Sequence, residues 1–328
     1  MPAYTKGLHT LADGVSAWLL PDGSWGWSNA GFIAGDGEGM LVDTLFDLAL
    51  TRELLDGLEP LTGSAPIRHL VNTHANGDHC FGNQLVPPDA HIYAGPHFNE
   101  ELHEFEPTVY GELAAAQTDP TVAAYLHEAF GPFDHSGIRF RDATVTVTDR
   151  LTVDVAGRGV ELHHLGPAHT RGDVIAWVPD SQVLFAGDLL FIGGAPVMWA
   201  GPARSWSAAC DRMIALEPET VVPGHGPVTD VSGIREVRDY LDFIGRYAAE
   251  SHAAGLPWPE AARRIDLGPF ASLGDSERVV ANLYCEYRHL DPATPALPLG
   301  ELIAEMARWR TRGRAAATHG GGQGRRGR

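Results

Sequence analysis

Short apolar runs alternate with turn signals through the first part of the chain, a pattern that predicts strands. The run over 15–20 meets Pro21-Asp22-Gly23-Ser24, a strong turn. Residues 31–34 and 40–43 read as two further short strands, separated by Gly35-Asp36-Gly37. From 47 to 58 the spacing turns helical, with Leu48, Leu54, Leu55 and Leu58 as the apolar positions. Residues 69–71 return to a buried strand, and 80–85 reads as the start of a helix. Residues 97–135, rich in Glu, His and Phe, form a helical insert long enough to suggest a functional cover. Strands resume at 145–147, 151–155, 160–164, 174–178 and 183–186. Helices follow near 205–216, 232–252, 276–289 and 299–310. Two runs of strands, each followed by helices, predict an α/β body with two packed sheets.

The length of 328 residues and 44% hydrophobic content fit one large domain over 1–310. Within it, 97–135 is the insert and 232–310 a C-terminal helical extension. Residues 311–328 are Arg- and Gly-rich and read as a disordered tail. Residues 1–309 hold all 42 acids and 18 of the 24 basic residues, an excess of 24 negative charges. Such a body repels phosphate backbones and argues against nucleic acid as a partner. No run is long enough to span a membrane, and none has the form of a secretory signal. Three widely spaced cysteines argue against a disulfide framework. A cytoplasmic protein is expected. A single lysine against 23 arginines suggests a GC-rich, bacterial gene.

The chemistry concentrates in four segments. Thr73-His74-Ala75-Asn76-Gly77-Asp78-His79 follows the strand over 69–71. Gly166-Pro167-Ala168-His169 places a histidine after a later strand, and Ala186-Gly187-Asp188 a carboxylate at another strand end. Pro223-Gly224-His225-Gly226 places a histidine between glycines. Imidazole nitrogen and carboxylate oxygen are the donors that borderline divalent ions take. Residues at strand ends are the ones a sheet gathers into a site. His163 and His164 read as packing residues, and Asp173 as a supporting or capping group.

In order and spacing, these segments resemble the metallo-β-lactamase-fold hydrolases over roughly residues 8–230. The first looks like that family's His-x-His-x-Asp-His, with Asn76 at the second histidine. The resemblance implies a four-layer αβ/βα sandwich, here with a helical insert and extra C-terminal helices. It implies one metal held by His74, residue 76 and His169, another by Asp78, His79 and His225, and Asp188 between them. Asp43 matches an early aspartate that supports rather than ligates. An amide oxygen is a poorer zinc ligand than imidazole. One or two Zn2+ ions are therefore expected, with the second site fuller than the first. Fe2+ held by His74, His169 and Asp188 is the alternative.

The implied activity is cleavage of an ester, thioester or related acyl bond of a small molecule, by a water that the metal makes acidic. Asp78 is the expected catalytic group, and Asn76 a donor to the substrate oxyanion. The segment 21–31, with Trp25 and Trp27, together with Gly77-Asp78-His79-Cys80-Phe81-Gly82-Asn83, resembles a bacterial subgroup that includes polyketide thioesterase–cyclases. That likeness implies a carrier-bound chain as an alternative substrate, with the two tryptophans as a substrate platform or as core. A mononuclear iron persulfide dioxygenase is the other alternative. Composition does not fix an oligomeric state.

Overall fold

The computed structural model describes residues 1–320. Its first sheet has seven strands in sequential order: β1 (Gly7–Ala12), β2 (Val15–Leu19), β3 (Ala30–Ala34), β4 (Gly39–Val42), β5 (Ile67–Val71), β6 (His91–Ala94) and β7 (Val145–Thr146). The second has five, ordered β12 (Thr220–His225), β11 (Val183–Phe191), β10 (Val174–Val178), β9 (Arg158–His164) and β8 (Arg150–Val155). Their facing sides are β-branched and aliphatic. Val15, Ala17, Ile33, Val42 and Val71 of one sheet meet Val153, Val160, Leu162, Val174 and Val183 of the other in one core.

Helix α1 (Leu48–Thr62) covers the outer face of the first sheet. Asp47 caps it, accepting from Leu50 N at 2.7 Å. Its buried positions are Thr51, Leu54 and Leu58. Leu55, expected on that face, is only half-buried because it falls one residue past the stripe. Helices α6 (Ala203–Ile214) and α7 (Val231–Ala253) cover the second sheet and pack on each other. The layer order is thus helix, sheet, sheet, helix, as expected.

The insert contains α3 (Phe98–Leu102), α4 (Val109–Ala116) and α5 (Pro120–Phe130). The extension adds α8 (Trp258–Arg264), α9 (Val279–Leu290) and α10 (Leu299–Gly320). Insert and extension share one apolar cluster, in which Leu102, Val122, Leu126 and Phe130 join Leu283, Tyr284, Leu302 and Met306. Tyr125 Oη donates to Glu277 Oε1 at 3.1 Å across the same seam.

Several expectations shift. The helix expected over 80–85 begins earlier, as α2 (Gly77–Cys80), and a separate 3-10 turn follows at Asn83–Leu85. Strand β11 continues to Phe191, so Asp188 lies inside a strand rather than at its end. Strand β6 and helix α8 have no counterpart in the sequence reading. Helix α10 runs through the first part of the expected tail, to Gly320. Residues 321–328 of that tail lie outside the described residues.

Candidate metal centre

The site lies where β4, β5, β11 and β12 reach the same edge of the two sheets. Parallel pairing of β4 with β5 puts Val42 level with Val71, so Asp43 and the Asn72–Thr73 turn leave the sheet together. Asp43 has φ 61°, a left-handed turn that sends its carboxylate back across the loop. It accepts from Thr73 N at 2.7 Å and Thr73 Oγ1 at 2.8 Å. Its Oδ2 also lies 2.9 Å from His79 Nδ1. The expected supporting role of Asp43 therefore has a geometry: it orients His79 and leaves Nε2 facing the site.

Asn76, in extended conformation, breaks the chain before α2, and the single turn of α2 presents Asp78 and His79. His169 sits in a loop that Asp173 closes. The Asp173 carboxylate accepts from Thr170 N at 3.0 Å and Thr170 Oγ1 at 2.8 Å. His169 Nδ1 donates to Val197 O at 2.7 Å, which fixes the proton there and leaves Nε2 free. Asp188 reaches inward from β11, beside Gly224. A Cβ at Gly224 would lie 1.9 Å from Asp188 Oδ1, so only glycine fits before His225.

Asn29 was not singled out in the sequence, yet it secures His225. Its Nδ2 donates to Pro223 O at 3.0 Å and Gly226 O at 2.8 Å, and its N–H donates to Gly224 O at 2.7 Å. Its Oδ1 accepts from Leu20 N at 3.2 Å. Ser28, beside it, donates to Asp78 O at 2.5 Å. Both lie in the hairpin loop that the sequence marked for its tryptophans. Their bonds run to backbone groups, which leave no pattern in the partner's sequence.

The side chains converge. His74, His169 and Asp188 place ligand atoms within 4.8 Å of one another, as do Asp78, His79 and His225. Asp188 joins the two sets: its Oδ2 lies 3.7 Å from His74 Nε2, 3.4 Å from His169 Nε2 and 3.4 Å from His225 Nε2, and its Oδ1 is 3.0 Å from His79 Nε2. Asp78 Oδ2 is 3.2 Å from His225 Nε2. Asn76 Oδ1 lies 2.8 Å from His169 Nε2. All seven side chains singled out as metal ligands meet here.

Burial sharpens the electrostatics. Burial opposes charge on His79, but Asp188, Asp43 and Asp78 lift its pKa well above the ordinary imidazole value. Burial likewise opposes charge on His225, while Asp188 and Asp78 hold it up at about 9. Burial and the nearby His79 push His74 well below the usual value, and burial lowers His169. Burial raises the Asp78 pKa, but His79 and His225 outweigh it and bring it to about 2. Asp188 follows the same logic and falls well below the usual range, through His225, His79 and His74.

These residues fit a divalent cation. His74 Nε2, His79 Nε2 and Asp188 Oδ1 are buried without a hydrogen-bond partner. Buried polar atoms without a hydrogen-bond partner are costly, and these three lie in the two clustered ligand sets, where a cation would satisfy them.

Trp25 and Trp27 sit in an aromatic cluster under the insert. Trp25 packs against Phe130 and Trp199, with the Arg278 guanidinium 4.2 Å from its ring, and Trp27 packs against Phe133. His163 lies 3.0 Å from Glu161 and takes no part in the centre. The three cysteines are buried and free. No helix among the described residues is long and apolar enough to cross a membrane.

Comparison with known proteins agrees with this geometry. A family model described as the metallo-beta-lactamase superfamily matches residues 23–225. A hydroxyacylglutathione hydrolase of Rhizobium meliloti is 26% identical over 171 residues, covering 52% of this chain and 52% of that protein. A metallo-beta-lactamase type 2 of Bacteroides fragilis is 28% identical over 105 residues, covering 30% of this chain and 41% of the other. The chain thus spans about half or less of these relatives. Among solved structures, the inverting sec-alkylsulfatase Pisa1 from Pseudomonas sp. superposes with a TM-score of 0.68 at 18% identity, covering 89% of this chain and 52% of that one. The DIM-1 metallo-beta-lactamase superposes with a TM-score of 0.54 at 17% identity, covering 74% and 99%. At those identities the structural likeness speaks for the fold alone. With the family match spanning most of the chain and every expected ligand at one sheet edge, the chain belongs to the metallo-beta-lactamase superfamily.

Proposed function

We propose that the protein is a metal-dependent hydrolase of an ester, thioester or related acyl bond in a small molecule. The observation that carries this is the convergence of four imidazoles and two carboxylates, with three buried donor atoms left unpaired. His74, His169 and Asp188 would hold one ion, with Asn76 beside them; Asp78, His79 and His225 would hold the other, with Asp188 shared. Zinc is the ion we propose. Bound there, it would supply Lewis acidity, activating a water and polarising the carbonyl under attack.

The remaining work falls to side chains. The Asp78 carboxylate is the more exposed of the two, at 14% against 4% for Asp188. It is ionised at neutral pH, and its Oδ2 would orient the attacking water and pass the water's proton on to the leaving group as the acyl bond breaks. The Asn76 amide turns its N–H toward the substrate carbonyl as negative charge develops there. Asp43 and Val197 O hold His79 and His169 in fixed orientations. Hydroxyacylglutathione hydrolases among the relatives lend weight to a thioester.

The test is hydrolysis of a panel of simple esters and thioesters by zinc-loaded and chelator-stripped protein. Loss of rate on stripping and return with zinc is expected. Equal rates for both forms would end this reading. A second reading, an iron dioxygenase, is favoured by the His74–His169–Asp188 set of two imidazoles and one carboxylate. One iron per chain, with oxygen uptake on a persulfide, would put it first.

A further inference from the structure

A cavity of about 280 Å³ opens beside the metal-binding loop. Asn76, which contacts His169, Thr170, which follows it in the chain, and Trp199 are part of its lining. The Trp199 N–H donates to His169 O at 2.9 Å, so that part of the lining is fixed to the site itself. The other walls come from a stretch within the family match at 23–225 and from one beyond it. Leu102, Val109 and Tyr110 belong to the insert; Leu299 and Leu302 belong to the extension. Phe105, one of the exposed large apolar side chains, lies on the same cavity, 48% accessible. Glu104 and Glu106 are also part of its lining.

We infer that this cavity takes the apolar acyl portion of the substrate and sets the enzyme's preference for it. The inference rests on the acyl hydrolase reading above. Asn76 borders both the metal ligands and the cavity, so a carbonyl held at Asn76 has its acyl chain pointing between insert and extension. The volume falls just below the usual range of roughly 300–1,000 Å³ for small-molecule pockets. It suits a medium alkyl chain or a single ring system. Apolar walls gain from each methylene buried. Val109 and Leu299 are half-buried and line the cavity, one from each of the two stretches, so a larger side chain at either would reduce its volume.

The experiment uses zinc-loaded full-length protein and two readouts. The first is kcat/KM for acetyl, butanoyl, hexanoyl and octanoyl thioesters of N-acetylcysteamine. It is expected to rise about two- to fourfold per methylene until the cavity is full. Leu299→Trp and, independently, Val109→Trp should flatten that slope, with circular dichroism confirming that each variant folds. The second readout is calorimetric binding of octanamide and acetamide, which needs no turnover. Octanamide is expected to bind at least about tenfold more tightly, with a negative heat-capacity change, and Leu299→Trp should abolish the difference. Octanamide binding without hydrolysis of any thioester would uphold the cavity and sink the hydrolase reading. Thioester hydrolysis with no chain-length dependence, and no octanamide binding, would overturn the cavity inference and leave the hydrolase reading intact.

Discussion

Asn76 Oδ1 and His169 Nε2 lie 2.8 Å apart, acceptor facing acceptor. His169 already gives its Nδ1 proton to Val197 O, so the neutral ring has no second proton to offer. Two lone pairs that close are reconciled by a cation, or by the amide turned end for end so that its N–H donates. In the proposed two-ion reading the cation reconciles them, and Asn76 is then the weakest donor of the first set.

Replacing that donor tests it. Asn76→His puts an imidazole where an amide stands, and the first site should then fill more completely. Bound zinc should rise toward about two ions per chain. Elemental analysis after dialysis against limiting chelator reads the change. If stoichiometry stays fixed, residue 76 does not ligate. The substitution also removes the proposed oxyanion donor, so the acyl-transfer rate should fall even as metal content rises.

The orientation of His79 depends on Asp43. Asp43→Ala removes the acceptor for His79 Nδ1 and for both Thr73 donors. Zinc affinity should drop about 10- to 100-fold, as is usual when the group behind a metal-bound histidine is lost. Competition with a fluorescent chelator measures it. An unchanged affinity would mean that packing alone holds the ring.

Asn29 makes a different prediction, one of stability. Asn29→Ala leaves Leu20 N, Pro223 O and Gly226 O without the side chain that satisfies them. Buried unsatisfied groups of this kind suggest a loss of roughly 2–4 kcal/mol. Urea denaturation should show a lower midpoint, and zinc should bind more weakly because the His225 loop is no longer tied down. A wild-type midpoint would contradict the account of that loop.

The pH dependence of the metal-free protein follows from the same charges. His79 and His225 have raised pKa values, His225 at about 9. Their stabilisation is complete below the ordinary imidazole value of about 6.5 and is lost as pH rises through about 9. His74 and His169 have lowered values, so acid favours the unfolded chain, which takes up the protons that the buried rings refuse. Stability should therefore peak at about pH 6.5 and decline on both sides. Urea midpoints at about pH 5, 6.5 and 9.5 check this. Zinc binding at neutral pH should also expel about two protons, from His79 and His225, as a weakly buffered titration would record.

The sequence disclosed the chemistry better than its supports. His74, Asp78, His79, His169, Asp188 and His225 were legible because a metal site demands particular side chains at fixed points in the chain. Asn29, Ser28 and Val197 were not, since their bonds run between side chain and backbone carbonyl or amide. Strand β6 has four residues, too few for alternation to be read. The long reach of β11 follows from its parallel pairing with β12, where a buried strand shows a continuous apolar run rather than an alternating one. The joining of insert and extension, seen in Tyr125 with Glu277, links positions 152 residues apart, and no local pattern announces it.

The most direct test is the metal content of the native protein. Mass spectrometry of protein purified without chelator should find about one to two divalent ions per chain. His225→Ala and Asp188→Ala should each lose most of it while keeping a wild-type circular dichroism spectrum. Protein that carries no divalent ion, and takes up none when titrated with zinc, would contradict the account at its base.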